Sequence, residues 1–170
     1  MVSVRYEKPE DIPLIYSVHE KTFKRDAEGR LADRLRRACA DHISLVAEDN
    51  GTIVGHVMFT PVLIKNDKEI RGMGLAPMAV LPTHRRRGIG TLLVQSGLQI
   101  LQKKGCPFVI VLGHPDYYPR FGFQPASRFN IKSQWEGVPD EAFMILVMDE
   151  EAMRNVSGIA LFRDEFNKAL

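Results

Sequence analysis

The hydrophobic and polar positions in the first half of the chain predict a short strand, two helices and an antiparallel meander. Val2–Glu7 alternates apolar and polar residues, which is typical of a half-buried strand. Apolar side chains then recur at helical spacing from Ile12 to Phe23 and across Ala27–Ala40. Asn50-Gly51 is a strong hairpin signal between the first two of three further strands. These strands are predicted over Ile43–Glu48, Thr52–Ile64 and Glu69–Leu81.

The second half of the chain predicts a strand–helix–strand crossover. Gly88–Lys104 carries one apolar face and predicts a helix, and Phe108–Leu112 is a continuous apolar run that indicates a strand buried on both faces. Such a crossover joins parallel strands, so we expect Phe108–Leu112 to lie parallel to Met78–Leu81. Later strands are predicted at Phe143–Met148 and Gly158–Phe162. The predicted class is α/β, with a mixed central sheet, antiparallel first and then parallel, and helices on both faces.

Composition narrows the class of protein further. A chain of 170 residues with 45% hydrophobic and 26% charged residues predicts one domain, residues 1–170, with its own core. A net charge of +2 is too even for a surface that binds nucleic acid throughout, so any basic footprint must be local. Two cysteines exclude a disulfide scaffold and a four-cysteine metal site. Since neither a signal peptide nor a membrane span is recognisable, we expect a cytoplasmic protein without metal, nucleic-acid or membrane partners.

The sharpest local motif lies between a predicted strand end and a predicted helix start. It reads Thr83-His84-Arg85-Arg86-Arg87-Gly88-Ile89-Gly90-Thr91. At such a junction backbone N–H groups lack helical partners and the helix dipole favours an anion. Gly88 and Gly90 have no Cβ atoms, so an anion can approach the backbone closely. Arginines at a helix start oppose the dipole unless an anion binds, so we predict a pyrophosphate site here rather than a solvated basic turn.

Two common pyrophosphate motifs do not fit this segment. The Gly-Lys-Ser/Thr of an ATP-binding Walker loop is missing. The third glycine of a dinucleotide fingerprint is replaced by Leu93, and Phe108–Leu112, about twenty positions on, offers no acidic residue for a ribose hydroxyl. The segment therefore does not predict a site for ATP or NAD.

Two motifs together resemble the GNAT superfamily of N-acetyltransferases. Arg85-x-x-Gly88-x-Gly90, after a strand ending Met78-Ala79-Val80-Leu81-Pro82, is similar to that superfamily's acyl-CoA-binding motif. Tyr117-Tyr118-Pro119-Arg120-Phe121-Gly122-Phe123 is similar to its second signature, a tyrosine four residues before Gly-Phe. The similarity runs from about Leu75 to Phe123 and is closest to the YhbS-like branch of predicted acetyltransferases. Both motifs occur in order and flank the predicted crossover, which makes the resemblance specific.

The resemblance implies acetyl-CoA as co-substrate and a GNAT-like fold. In that fold the pantetheine arm lies between two parallel strands that splay apart, and Pro77 offers a reason for a bulge there. The N–H groups from Arg86 to Thr91 are implied to hold the pyrophosphate, and the N–H of Val80 is implied as the oxyanion donor. The complete implied cofactor-binding set is Met78, Ala79, Val80, Arg85, Arg86, Arg87, Gly88, Ile89, Gly90 and Thr91.

The resemblance also implies that Tyr118 is the general acid that protonates the departing thiolate. A phenol with a pKa near 10 and a thiol with a pKa of about 8.5 are close enough to share a proton. Tyr117 is the rival for this role, and one of the two tyrosines is expected only to pack. Phe121-Gly122-Phe123 is expected to be structural, as a turn into the next strand.

The general base is the part of the mechanism on which the sequence departs from the family. No carboxylate occupies Gly74–Ala79, where many members keep one, and Gly113–Asp116 forms a shorter connection than is usual before the tyrosine. Deprotonation of the acceptor is therefore left open among water, His114, Asp116 and His56.

The function implied by the resemblance is acyl-CoA-dependent N-acyl transfer, with acetyl moved to a primary amine by direct attack in a ternary complex. A non-catalytic acyl-CoA-binding regulatory domain is the first alternative, since a fold does not by itself confer chemistry. A nucleic-acid-binding module is the second, built on His84–Arg87 with Arg34, Arg36 and Arg37. It is disfavoured because no aromatic residue is interleaved with either basic cluster.

The acceptor is the least defined partner. A small-molecule amine or an amine of a peptide or protein would be held by the first two helices, the second and third strands, and Ala126–Pro139. That last segment contains Trp135 and Glu136, and Trp135 is expected to be a partly buried anchor rather than an acceptor contact. The oligomeric state is left open, with a homodimer among the expected forms.

Overall fold

A computed structural model describes Met1–Lys168 and divides the chain into two compact units. The first unit comprises residues 1–60 and 76–100 together with the segment that begins at Asp164. The second comprises residues 61–75 and 101–163. Two strands and one helix contribute residues to both units. The prediction that residues 1–170 form one domain stays a prediction.

The first unit contains the predicted meander and the helices. Its elements are β1 (Val2–Tyr6), α1 (Ile12–Phe23), α2 (Ala27–Ala38), β2 (Ile43–Asp49), the first part of β3 (Thr52–Lys65), the last part of β4 (Glu69–Val80) and most of α3 (Ile89–Lys103). The strand order here is β1-β2-β3-β4. Strands β2 and β3 pair antiparallel as predicted, and β1, for which the sequence predicted no partner, pairs antiparallel with β2. Helix α2 ends two residues before the predicted Ala40, because Cys39 adopts an extended backbone.

The hairpin between β2 and β3 follows its sequence signal. Asn50 and Gly51 have φ angles of 50° and 85°, and Asp49 lies opposite Thr52 in the register. Two consecutive residues in the left-handed region form the tight turn that matches the twist of the flanking strands. The predicted turn is confirmed, and it places Asp49 at the end of β2.

Packing in the first unit brings α1 and α3 against the sheet. Ile15 and Val18 of α1 form a buried cluster with Val46, Ile53 and Ala79 of the strands. On α3 a Cβ atom at Gly97 would overlap the ring of Phe59, so glycine at this position permits close contact between α3 and β3. Through the first cluster α1 lies beside the end of β4.

The second unit contains the crossover strand and the C-terminal strands. Its further elements are β5 (Phe108–Leu112), β6 (Gln124–Pro125), β7 (Ile131–Ser133), β8 (Phe143–Val147) and β9 (Gly158–Leu161). The strand orders here are β4-β5-β8-β6 and β3-β9-β7. The sequence predicted β5, β8 and β9 but not the short strands β6 and β7. With parallel and antiparallel pairs both present, the predicted mixed α/β class is confirmed.

The register between β4 and β5 differs from the predicted one. Strand β5 is parallel to β4 as expected, but Val109 and Ile110 pair with Met73 and Gly74 and not with Met78–Leu81. The physical reason lies in the glycines of β4. A Cβ atom at Gly72 would lie 2.6 Å from the carbonyl oxygen of Phe108, so only glycine permits this close approach of β5.

Candidate active site

The basic loop after β4 adopts a backbone conformation in which Gly88 faces open space. A 3-10 turn at Pro82–His84 leads into the loop, where Arg86 and Gly88 have φ angles of 61° and 76°. A Cβ atom placed on Gly88 would meet no atom within 4 Å. The Gly88 carbonyl accepts the Leu92 N–H at 3.0 Å, so α3 begins directly after this glycine. The first N–H groups of a helix have no intrahelical partner, which makes this end of α3 accessible to an anion.

The three arginines of the loop differ in whether a carboxylate lies beside them. Arg87 lies 3.4 Å from the Asp49 carboxylate, and His84 lies 3.5 Å from the same oxygen. Arg85 and Arg86 are exposed, and neither forms an ion pair with any residue between Met1 and Lys168. Two guanidinium groups therefore stay available next to the start of α3, and they fit a pyrophosphate group.

The end of β4 presents backbone groups on the edge opposite β3. The Leu81 N–H donates to the Val54 carbonyl of β3 at 2.9 Å. Neighbouring residues of a strand point their backbone groups to opposite edges, so the groups of Val80 face away from β3. Thr22 Oγ1 lies 3.2 Å from the Val80 carbonyl oxygen and donates to the Val18 carbonyl at 2.7 Å. The edge predicted to bind the pantetheine arm therefore faces away from β3, and Thr22 of α1 lies beside it.

The other predicted contacts on β4 lie in different surroundings. Met78 is half-buried, whereas Ala79 is buried in the core cluster with α1. Pro77 follows a cis peptide bond inside β4, and the strand continues past it to Val80. The roles of Met78, Ala79 and Val80 toward a cofactor stay predictions.

Tyr118 belongs to the second unit, at the start of a 3-10 helix that spans Tyr118–Phe121. Its ring centroid lies 5.1 Å from that of Tyr117 and 5.7 Å from that of Phe123, and only 7% of the residue is exposed. A Cβ atom at Gly113 would overlap the ring, so the chain packs closely around it. The hydroxyl has no hydrogen-bond partner in the described part of the chain, yet it is not among the fully buried unpartnered atoms, so its oxygen meets solvent.

Burial determines the protonation state of this phenol. It raises the pKa of Tyr118 above its ordinary value, and the neighbouring Tyr117 adds to the shift. The phenol is therefore protonated at neutral pH and able to donate. Its higher pKa also weakens complete proton transfer to a thiolate, so donation of a hydrogen bond as the sulfur leaves is the more favourable form of acid catalysis.

Tyr117 contacts the side chains of Arg120 and Phe121. The Arg120 guanidinium lies 4.2 Å from the centre of the Tyr117 ring, and Arg120 Nε donates to the Tyr117 carbonyl at 2.8 Å. The ring also meets that of Phe121 edge to face. These contacts support a packing role for Tyr117.

The three side chains left open as general bases differ sharply in exposure. His114 and Asp116 are exposed residues of the loop before Tyr118. His56 of β3 is fully buried, and it contacts other polar side chains that the sequence did not single out.

These contacts form a polar chain in the first unit, which we call the His19–Glu7 chain and define as His19, His56, Ser44 and Glu7. His19 Nε2 lies 2.8 Å from His56 Nδ1, and His56 Nε2 lies 2.8 Å from Ser44 Oγ. Ser44 Oγ donates in turn to a Glu7 oxygen. No sequence signal pointed to this chain, because its members come from four separate segments with no shared period.

The environment of this chain favours neutral imidazoles and pairs the Glu7 carboxylate with a guanidinium group. Burial lowers the pKa of His19 to about 4 and holds the pKa of His56 well below its usual value. Glu7 is held by Arg36, whose Nε lies 2.5 Å from one carboxylate oxygen. Arg36 is therefore not a solvated charge of α2: it is 11% exposed and ion-paired with Glu7 and Asp33.

The described residues contain neither a cluster of metal ligands nor a membrane-spanning helix. Between Met1 and Lys168 no three His, Cys, Asp or Glu side chains are arranged so that they could hold a metal ion. None of the helices in this range has both the length and the apolar character needed to cross a bilayer.

The mixed sheet and the glycine-arginine loop at the start of α3 are the features that the resemblance to GNAT acetyltransferases implies. The family model described as "Acetyltransferase (GNAT) domain" matches residues 3–126. The chain belongs to the GNAT acetyltransferase family.

Two relatives that are named as N-acetyltransferases share different lengths of this chain. An uncharacterized N-acetyltransferase of Escherichia coli K12, YhbS, is 33% identical over 166 residues, which cover 97% of this chain and 98% of YhbS. A second E. coli K12 protein, the uncharacterized N-acetyltransferase YjhQ, is 42% identical over 86 residues, 50% of this chain and 48% of YjhQ. The resemblance to the YhbS-like branch is confirmed.

Solved structures show the same fold. The crystal structure of E. coli YhbS in complex with CoA has a TM-score of 0.90 at 32% identity, with 98% of this chain and 92% of that chain covered. A GNAT family acetyltransferase from Brucella melitensis in complex with acetyl-CoA has a TM-score of 0.79 at 32% identity, with 98% of each chain covered. The predicted GNAT-like fold is confirmed.

Proposed function

We propose that the protein transfers an acetyl group from acetyl-CoA to a primary amine, either of a small molecule or of a peptide or protein. The observation that carries this proposal is the loop before α3, with its open space at Gly88 and the unpaired exposed charges of Arg85 and Arg86. The complexes of its structural relatives with CoA and acetyl-CoA support the same co-substrate. Its free cysteines support the cytoplasmic location that we propose with it.

In this proposal the loop and the end of β4 bind different parts of acetyl-CoA. The N–H groups from Arg86 to Thr91, with the Arg85 and Arg86 side chains, hold the pyrophosphate. Backbone groups of Met78 and Val80 at the end of β4 hold the pantetheine arm, with Ala79 between them, because the edge that faces away from β3 can pair with an extended chain. The backbone groups in both roles are held in place by the fold, so the loop backbone needs little further ordering when acetyl-CoA binds.

The proposed reaction is direct acyl transfer. The amine nitrogen forms a bond to the thioester carbon, and the carbonyl electron pair moves to oxygen, where the Val80 N–H stabilises it. The tetrahedral intermediate then collapses, the carbon–sulfur bond breaks, and the sulfur leaves with a hydrogen bond or a proton from Tyr118. The amine loses one proton to solvent and leaves as an acetamide, and a Tyr118 hydroxyl that has given its proton to the sulfur regains one from solvent.

Incubation with acetyl-CoA and a panel of primary amines tests this function. The panel contains n-propylamine, spermidine, an aminoglycoside and a peptide with a free N-terminus, and the measured quantity is free CoA thiol over time. We expect thiol release above the amine-free rate with at least one member. Tight acetyl-CoA binding without thiol release on any member would instead indicate a non-catalytic acyl-CoA-binding domain.

A further inference from the structure

Thr22 of α1 has two carbonyl oxygens next to its hydroxyl group. Thr22 Oγ1 lies 2.7 Å from the carbonyl oxygen of Val18 and 3.2 Å from that of Val80. The first contact is the usual one for a threonine inside a helix, where the hydroxyl donates to the carbonyl four residues before it. The second contact joins α1 to the end of β4, and the helix itself does not require it. A hydroxyl group carries one hydrogen, so the two carbonyl oxygens share a single donor.

The Val80 carbonyl lies on the edge of β4 that faces away from β3. Its neighbour Leu81 donates its N–H to Val54 of β3, and successive peptide groups of a strand point to opposite edges. Strand β5 pairs with an earlier part of β4, so this pairing supplies no donor to the Val80 carbonyl. The Thr22 hydroxyl supplies one from α1. A side chain of α1 therefore takes the place that a neighbouring strand has elsewhere in the sheet.

The hydrogen of the Thr22 hydroxyl is shared between the two carbonyl groups. The Val18 carbonyl also accepts the Thr22 N–H through the regular pattern of the helix, so it does not depend on the hydroxyl. If the hydrogen pointed at Val18 alone, a lone pair of Thr22 Oγ1 would face the Val80 oxygen at 3.2 Å, and two lone pairs repel each other. A shared hydrogen removes this repulsion. Thr22 therefore joins the Val80 carbonyl to α1 by a hydrogen bond.

Contacts on three sides fix the backbone around Val80. Val18 of α1 belongs to the same buried cluster as Ala79, which precedes Val80. The following residue, Leu81, is hydrogen-bonded to β3. The carbonyl of Val80, on the opposite edge, is held by Thr22. Removal of the hydroxyl therefore frees the outward-facing groups of Val80, while both neighbouring residues keep their contacts.

We propose that Thr22 is a positioning residue of the transfer reaction, which orients Val80 so that its N–H points at the thioester oxygen. This inference rests on the proposed function, in which the Val80 N–H stabilises the oxyanion. The N–H and C=O of one residue in a strand point to the same edge, so a hydrogen bond to the Val80 carbonyl also restricts the direction of the Val80 N–H. Thr22 acts through Val80, and no proton or electron pair passes through its hydroxyl.

The direction of the Val80 N–H matters because charge develops on the thioester oxygen only as the amine attacks. A donor that is fixed before the reaction needs no reorganisation at that step. In the proposed function acetyl-CoA is bound through its pyrophosphate and its pantetheine arm. A carbonyl oxygen has two lone pairs, so Val80 can accept from Thr22 and from a pantetheine amide at once. We therefore expect the contribution of Thr22 to appear in kcat rather than in cofactor affinity.

The hydrogen bond is tested by the ¹³C chemical shift of the Val80 carbonyl, measured by triple-resonance NMR on the uniformly labelled full chain. A hydrogen bond to a carbonyl oxygen moves this shift downfield. We expect an upfield change in Thr22→Val, which keeps the β-branched shape and loses the hydroxyl, and a return toward the wild-type shift in Thr22→Ser. An unchanged Val80 carbonyl shift in Thr22→Val would overturn the proposal whatever the activity.

The positioning role is tested by the kinetics of the same variants on the amine panel. Loss of a whole oxyanion donor costs about 10²–10³ in kcat, and a donor that is present but less well directed costs a part of that. We expect kcat to fall roughly tenfold in Thr22→Val with the Kd for acetyl-CoA little changed, and Thr22→Ser to restore most of kcat. Thr60→Val is the matched control, because it removes a fully buried hydroxyl of β3 that has no hydrogen-bond partner among the described residues.

The outcomes separate this inference from the proposed function. Wild-type kcat in a folded Thr22→Val, an equal loss in Thr60→Val, or no recovery in Thr22→Ser would overturn the positioning role while leaving acetyl transfer intact. No thiol release by the wild type on any panel amine would overturn the proposed transfer and this inference with it. If Thr22→Val does not fold, as judged by circular dichroism, Thr22→Ser and Thr22→Ala make the same comparison, since they differ from each other only in the hydroxyl group.

Discussion

Tyr118 combines a buried aromatic ring with a hydroxyl that reaches solvent. The aromatic cluster around it fixes the ring, and burial keeps the phenol protonated. A fixed donor is useful only if charge develops next to it during the reaction, because a group that binds ground and transition state equally does not raise kcat. The kinetic signature of such a residue is therefore a change in kcat that is separate from cofactor affinity.

We predict that Tyr118→Phe lowers kcat far more than it weakens acetyl-CoA binding. Phenylalanine keeps the ring contacts and removes only the donor, and general acid catalysis is typically worth about 10²–10⁴-fold. We expect a loss in the lower half of that range, because a thiolate is already a tolerable leaving group. Steady-state kinetics with an active panel amine measure the effect, and titration calorimetry measures the Kd.

Tyr117→Phe is the control for this prediction. Its ring contacts with Arg120 and Phe121 would survive, so we expect a milder effect on kcat. Near-normal turnover in Tyr118→Phe would remove the acid role, and a collapse in Tyr117→Phe alone would transfer that role to Tyr117.

Gly88→Ala should weaken acetyl-CoA binding more than a matched glycine substitution does. The added methyl group occupies the open space that we assign to the pyrophosphate, and the φ of 76° adds backbone strain of about 1 kcal/mol. Gly105→Ala carries the same strain at a φ of 75°, also in open space, at the other end of α3. Calorimetry should show reduced affinity only in Gly88→Ala, while both variants lose similar stability. Equal affinities would contradict the loop assignment.

For single residues, the sequence predicts those functional residues that lie close together in one short motif. Arg85, Gly88 and Tyr118 sit in short motifs whose spacing is visible without a structure. His19 and Ser44 could not be predicted as partners of His56, because their contacts depend on the packing of α1 and β2 against β3. Sequence spacing carries no information about such contacts when the members share no period.

Among the elements, the pairing of β4 with β5 shows how side-chain volume sets register. The apolar run of β5 predicted a buried parallel strand, and that much is confirmed. The position of the pairing depends on Gly72, where any Cβ atom would overlap Phe108. A hydrophobic pattern identifies a strand and its burial, but it does not identify the residues at which two backbones approach most closely.

The buried histidines that join α1 to β3 predict a loss of stability in mild acid. The folded pKa of His19 is about 4 against an ordinary value of 6.5, and that of His56 is lowered as well, so the unfolded chain takes up protons first. The free energy of unfolding should therefore fall as pH decreases from about 6.5 to about 4. From His19 alone the loss is on the order of 3 kcal/mol.

Urea unfolding at several pH values in this window measures the loss. Asp11 has little effect in this window, because its carboxyl has an ordinary pKa of 3.8 in the unfolded chain and a lower pKa beside Arg5 in the folded one, so its uptake of protons falls mainly below the window. A constant free energy of unfolding between pH 7 and about 4.5 would contradict the neutral, buried state of both histidines.

For the molecule as a whole, cofactor specificity should be measurable as a larger rise in Tm with acetyl-CoA than with other nucleotides. A ligand that binds only the folded state at about 100 times its Kd adds about 2.7 kcal/mol, which for a chain of this size raises the Tm by roughly 5–10 °C. We predict a shift of this order with acetyl-CoA and clearly smaller shifts with ATP or NAD at equal concentration. Differential scanning fluorimetry makes the comparison, and an equal shift with ATP would mean that the loop is a general anion site.

The central claim is that acetyl from acetyl-CoA ends on an amine, and the most direct measurement is the stoichiometry of the two products. Free CoA thiol is quantified by absorbance and acetylated amine by mass spectrometry in the same reaction with an active panel member. The account predicts one acetylated amine for each thiol released. Thiol release without acetylated amine would show hydrolysis of acetyl-CoA and would contradict the account.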